Sequence, residues 1–205
     1  PGGLRADLMY GTDGSVTYAQ ANAVLPFLNN LWTTTLTGAQ FKVALEQQWQ
    51  TDANGNIPSR SFLNLGLSKN VSYTYDPTKT QGNHITGITV NGQPIDMARN
   101  YRIGSFSFLL QGGDNFRVFA QGANTKDSGL VDRDAWISYI KGNSPLSPSF
   151  ARRGVSLIGV PTGSVTAGST VSFDVTMLNL TSLGSPANTT LTATTSAGTA
   201  AAIHP

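Results

Sequence analysis

The sequence predicts an α+β domain, a mixed β-sheet with packed helices, followed by a partial β-rich tail segment. Three observations carry this expectation. Segments with helical spacing and segments with strand alternation follow one another irregularly along residues 1–158, an order that suits a mixed sheet. A hairpin signal, Asn91-Gly92, comes directly after the apolar run Ile88-Thr89-Val90, and an Asn-Gly pair supplies the positive φ angles that a two-residue turn needs. From Pro161 onward the composition turns to Thr, Ser, Ala and Gly, and Asp174 is the only charged side chain left.

Taken in order, Thr17 caps a short helix that runs to Val24, since a threonine hydroxyl can accept from a first-turn amide. A strand is expected at 31–36. Thr37 then caps a longer helix through Trp49, with Phe41, Ala44, Leu45 and Trp49 at helical spacing. Strands follow at 63–67, 71–75, 85–90 and 101–107, and a third helix starts after Asp132 with Ala135, Trp136, Tyr139 and Ile140 on one face. In the tail, Val171, Phe173 and Val175 alternate as in a half-buried strand. The chain therefore divides into a domain at 1–158 and a segment at 159–205, read as a Thr/Ser/Ala-rich linker or a truncated β-sandwich module. Residues 184–205 have the composition of a low-complexity linker.

Composition bounds the function. The chain has 205 residues, enough for one sizeable domain plus an appendage. Its zero cysteines exclude a disulfide framework, a thiolate zinc site and a cysteine nucleophile. A formal charge of +2 with scattered basic residues gives no nucleic-acid groove, and no apolar stretch approaches the roughly 20 residues of a membrane span. The sequence opens at Pro1 without an initiator Met, which reads as a fragment with its upstream part absent.

The most informative segment is Phe108-Leu109-Leu110-Gln111-Gly112-Gly113-Asp114-Asn115-Phe116. An apolar run stops at a glycine pair, a carboxylate lies just beyond, and an aromatic stands three intervening residues before it. Glycines let the backbone take positive φ and pass close to a ligand, and a flanking ring and acceptor suit a flat, hydroxyl-bearing molecule such as a nucleoside. The same residues also fit a strand end with both phenylalanines in the core.

Other segments come in a recognisable order: Pro1-Gly2-Gly3-Leu4-Arg5-Ala6-Asp7-Leu8, then Leu25-Pro26-Phe27-Leu28-Asn29-Asn30, Leu36-Thr37-Gly38, Ala44-Leu45-Glu46, Phe62-Leu63-Asn64-Leu65, Tyr73-Thr74-Tyr75-Asp76 and Tyr101-Arg102-Ile103. With the Gly-Gly-Asp turn they resemble the C-terminal, substrate-binding domain of the bacterial 5′-nucleotidase and UDP-sugar hydrolase family, over about residues 1–158. The resemblance implies that Phe62 and Phe108 sandwich a nucleobase, a sequence-tolerant contact because every base has a π-face. It further implies that Asp114, after Gly112 and Gly113, accepts from ribose hydroxyls, that Asn64 reads the base edge, and that Arg5 clamps phosphate with its planar fork. Phe106 is the alternative stacking ring, since strand alternation would place it on the same face as Phe108. Asn115 stands where the family usually has another glycine and tolerates a left-handed conformation almost as well. Arg60 is a second basic residue near Phe62, read either as a solvated loop charge or as an added phosphate or base contact.

Hydrolysis of a phosphate ester commonly uses a metal pair held by clustered His, Asp and Asn side chains. This chain has two histidines, His84 in a polar turn and His204 near the end, both expected on the surface. The resemblance thus implies that a divalent metal pair and the attacking water belong to a preceding metallophosphoesterase domain, that this fragment holds no cofactor and is inactive alone, and that the protein is extracellular or wall-associated. A different class of function stays open at this point: a non-catalytic cell-surface interaction or adhesion module that kept the fold.

Overall fold

The computed structural model describes residues 3–182, 184–190, 194–195 and 198–199. It is α+β. One sheet is antiparallel with three strands: β1 (Asn30–Thr37) lies between β5 (Asn100–Phe106) and β6 (Ala123–Val131). A second has five, in the order β4 (Gln93–Pro94), β3 (Ile85–Val90), β2 (Val71–Tyr75), β7 (Gly154–Ile158) and β8 (Asp174–Thr176), and a third is the short pair β9 (Thr194–Thr195) and β10 (Gly198–Thr199). In the five-stranded sheet the β2–β7 pair is parallel and the remaining pairs antiparallel, so this sheet is mixed. Of the alternating tail residues only Val175 lies in a strand, opposite Leu157 of β7, while Val171 and Phe173 precede it and are exposed.

Helices α1 (Tyr18–Val24) and α2 (Gly38–Glu46) start where their threonines predict. Each opens with a reciprocal pair of bonds in a Thr-x-x-Gln motif: Gln40 N–H donates to Thr37 Oγ1 at 3.1 Å and Thr37 N–H to Gln40 Oε1 at 2.9 Å. Thr37→Ala removes one of these bonds and is expected to lower stability by about 1 kcal/mol, read as a shift in denaturation midpoint. The Asn91-Gly92 turn joins β3 to β4 with φ of 53° and 74° at its two residues, as the hairpin signal requires.

The core lies between the three-stranded sheet, the five-stranded sheet and α2. Leu36 comes from the first sheet, Tyr73, Ile85 and Ile88 from the second, and Phe41, Ala44 and Leu45 from α2. Phe116, fully buried, closes it from the segment after the glycine pair.

Several elements differ from expectation, α2 ending at Glu46 rather than Trp49. Residues 63–67 form no strand: Leu63 and Leu65 point inward and Phe62, Asn64 and Gly66 outward, but their amide partner is Gln48, whose backbone C=O takes Leu63 N–H and whose side-chain Oε1 takes Leu65 N–H. Strand β6 was not expected, because its sequence, Ala-Asn-Thr-Lys-Asp-Ser-Gly-Leu-Val, is polar and almost wholly exposed. It pairs with β1 through two register irregularities. Helix α4 (Asp132–Gly142) buries Ile137, while Tyr139 is exposed and Trp136 Nε1 donates to Ala21 O of α1 at 3.1 Å. Its inner face is therefore rotated from the Ala135-Trp136-Tyr139-Ile140 stripe, since α4 packs its side against α1.

Candidate functional site

The site is built on the five residues after α2. Gln48 and Gln50 are almost completely buried, and buried amides must find partners. Gln50 N–H donates to Ser61 O at 2.9 Å and Leu63 N–H to Gln48 O at 2.8 Å, which straps the Phe62 loop to this segment. On the other side Asn115 Nδ2 donates to Gln50 Oε1 at 3.0 Å, Val118 N–H to Gln47 Oε1 at 3.2 Å, and Arg117 Nη1 to Thr51 O at 2.8 Å. Gln47–Thr51 is thus a crossbar carrying both motif-bearing loops.

Between those loops lies a cavity of about 220 Å³, lined by Pro58–Arg60 and Leu63 on one side and by Asp114 and Asn115 on the other, with Gln50 between. The second loop turns sharply because Gly112, Asp114 and Asn115 all have positive φ, at 89°, 51° and 61°. Only glycine takes that conformation freely, and a non-glycine residue there costs roughly 1–2 kcal/mol. Asn115 offsets part of this through its bond to Gln50. The Asp114 carboxylate is half-buried and takes no hydrogen bond from the described residues, which leaves an acceptor free at the cavity wall.

Each predicted residue can now be placed. Phe62 is 43 % exposed and stands edge-on to Trp49, centroids 5.1 Å apart. Phe108 is 51 % exposed and its ring covers Gly113, where a Cβ would meet ring atoms at 2.5–2.7 Å. Gly113→Ala is accordingly expected to swing the Phe108 ring away while leaving the core intact. A changed set of Phe108 ring resonances with an unchanged melting temperature checks it. Asn64 is exposed two residues beyond Phe62, with no side-chain partner among the described residues. Arg5 lies elsewhere: its guanidinium sits 4.8 Å over the Phe27 ring and its N–H donates to Val24 O. The cation in the cavity lining is Arg60.

Two readings are corrected. Phe106 ends β5 opposite Leu31, whereas Phe108 belongs to the helical turn α3 (Ser107–Leu110). Strand alternation therefore does not relate the two rings. His84 is no surface residue: it is 5 % exposed, stacked on Trp49 at 4.2 Å and 5°, with Nδ1 3.2 Å from Glu46 Oε2. No acidic neighbour in sequence announced it; Glu46 lies 38 positions away. His204 lies outside the described residues. Among the described residues no three His, Asp or Glu side chains gather into a metal-ligand set, and no helix is long and apolar enough to cross a membrane.

The crossbar thus ties together two loops whose cavity is lined by Arg60 and the Asp114 carboxylate, while the exposed rings of Phe62 and Phe108 stand outside that lining. The comparisons with known proteins place the chain more closely. The profile of the 5′-nucleotidase, C-terminal domain family matches residues 1–121; the chain belongs to that family. A 5′-nucleotidase-related protein of Glossina morsitans morsitans is 32% identical over 155 residues, covering 72% of this chain and 26% of the relative. Cell wall protein Lmo0130 of Listeria monocytogenes is 30% identical over 146 residues, covering 68% of this chain and 17% of the relative. Among solved structures, a 5′-nucleotidase precursor from Thermus thermophilus superposes with a TM-score of 0.56 at 27% identity, over 69% of this chain and 27% of that one. The chain thus spans about a quarter or less of the length of these relatives.

Proposed function

We propose that this chain is the nucleotide-binding domain of a secreted or wall-associated, metal-dependent 5′-nucleotidase-like phosphohydrolase. The single observation that carries this is the cavity with a free Asp114 carboxylate in its wall, beside the exposed ring of Phe62 next to Leu63 of the lining and that of Phe108 in the turn preceding Asp114. The rings take the base, Asp114 takes the ribose hydroxyls, and Asn64 the base edge. A drug-sized ligand is usually enclosed by about 300–1,000 Å³, so a cavity of about 220 Å³ suits partial enclosure of a nucleoside rather than of a whole nucleotide. The metal pair and the attacking water come from a preceding metallophosphoesterase domain, and this chain alone releases no phosphate from AMP. The similarity to a cell wall protein supports the location.

Calorimetric titration with adenosine and AMP tests the reading. Saturable binding of both is expected, and Asp114→Asn should weaken both because they share the sugar. Arg5→Ala and Arg60→Ala then locate the phosphate: the cation that holds it weakens AMP selectively, and the selectivity shrinks as salt rises. Absence of binding by the folded chain would overturn the proposal in favour of a surface interaction module.

A further inference from the structure

The buried pair Glu46–His84 has no place in the recognition just described, yet it abuts it. One carboxylate takes three donors: Ile85 N–H on Oε1 at 2.7 Å, and His84 N–H and Nδ1 on Oε2 at 3.0 and 3.2 Å. Burying an acid and an imidazole costs desolvation that only such complete pairing offsets. The pairing fixes the plane of the imidazole, and Trp49 lies on that plane at 4.2 Å and 5°. The indole also meets Tyr75 at 5.3 Å and Phe62 at 5.1 Å and 72°. Trp49 and Phe62 are further joined by an isolated backbone bridge.

The Phe62 ring is 43 % exposed, and an unrestrained ring would lose rotamer freedom on each binding event. We propose that the flat ring at position 84 stacked on Trp49 is the brace that sets the Phe62 ring before a ligand arrives, Glu46 serving to pair the buried imidazole, which makes His84 a positioning residue for base stacking. This rests on the reading of Phe62 as a base-stacking ring. The other groups around the imidazole are accounted for: Lys42 Nζ stands 4.0 Å from Glu46 Oε1 on α2, Asp76 donates its backbone N–H to His84 O, and the phenol ring of Tyr75 packs on Trp49.

The test uses the full chain with His84→Ala and His84→Phe, scored per folded molecule. His84→Phe keeps a flat ring on Trp49 and drops the link to Glu46; His84→Ala drops both. Adenosine binding should weaken about three- to tenfold in His84→Ala, the size of one stacked pair, and stay within about twofold of the parent in His84→Phe. The Phe62 ring-proton shifts, read without ligand, should move in His84→Ala and return in His84→Phe. A purely structural role for His84 would leave those shifts in place in the folded fraction. Unchanged affinity and shifts in His84→Ala, or failure of His84→Phe to restore them, would overturn the brace. If the parent chain binds no adenosine, the nucleotide reading falls while the ring shifts still decide the brace.

Discussion

Truncating Glu46 to alanine is expected to lower the stability of the fold by about 3–5 kcal/mol, the range for breaking a buried pair and stranding its partners. Glu46 is 5 % exposed at the end of α2 and is the acceptor for two backbone amides at the start of β3 as well as for the His84 ring. Removing it leaves those donors buried without partners and cuts the polar tie between α2 and the five-stranded sheet. Glu46→Gln should cost less, because one oxygen remains to accept while the amide nitrogen opposes a donor. Denaturant unfolding checks both, with the midpoint moving and the slope unchanged if the transition stays two-state. A loss below about 1 kcal/mol for Glu46→Ala would show that water reaches these amides.

This pair also marks where sequence reasoning ended. Both threonine caps, the Asn91-Gly92 turn and the in-out alternation of residues 62–66 were legible, because each depends on neighbours a few positions away. The glycine-pair loop was legible for the same reason, down to the left-handed Asn115. What escaped depends on partners distant in the chain. His84 in Gln-Gly-Asn-His looks like an exposed turn until α2 delivers Glu46 and Trp49 to it. Residues 63–67 have the pattern of a strand, yet the side chain of Gln48 takes the place of a neighbouring strand. The polar sequence of β6 carries no alternation, since its pairing comes from the β1 backbone and its faces stay in solvent. The proposed roles of Phe62, Phe108 and Asp114 come from the motif, whereas the Gln47–Thr51 crossbar that ties their loops together had no signal in the sequence. Glutamine has no sequence signature for burial, and only the fold shows that Gln48 and Gln50 are satisfied inside.

Replacing Phe62 or Phe108 by alanine is expected to weaken adenosine binding by about 1–3 kcal/mol each, the usual worth of a base stacked on an aromatic ring. Both side chains are substantially exposed, so neither truncation opens a core cavity of the kind that unfolds a domain. The two should nevertheless differ in stability. Phe62→Ala forfeits the edge contact with Trp49, about 0.5–1.5 kcal/mol for an aromatic pair, whereas Phe108→Ala removes a ring lying on Gly113 and should shift the melting temperature less. If the rings hold opposite faces of one base, the double variant loses more than either single variant, and the departure from additivity measures their coupling through the ligand. Phe106→Ala is the internal comparison: Phe106 is half-buried opposite Leu31 at the end of β5, so it should lose stability while adenosine affinity per folded molecule stays level. Calorimetry with adenosine on the four variants, beside thermal melts, gives every quantity needed. An affinity loss in Phe106→Ala together with an unchanged Phe108→Ala would move the stacking ring into the strand and remove Phe108 from the site.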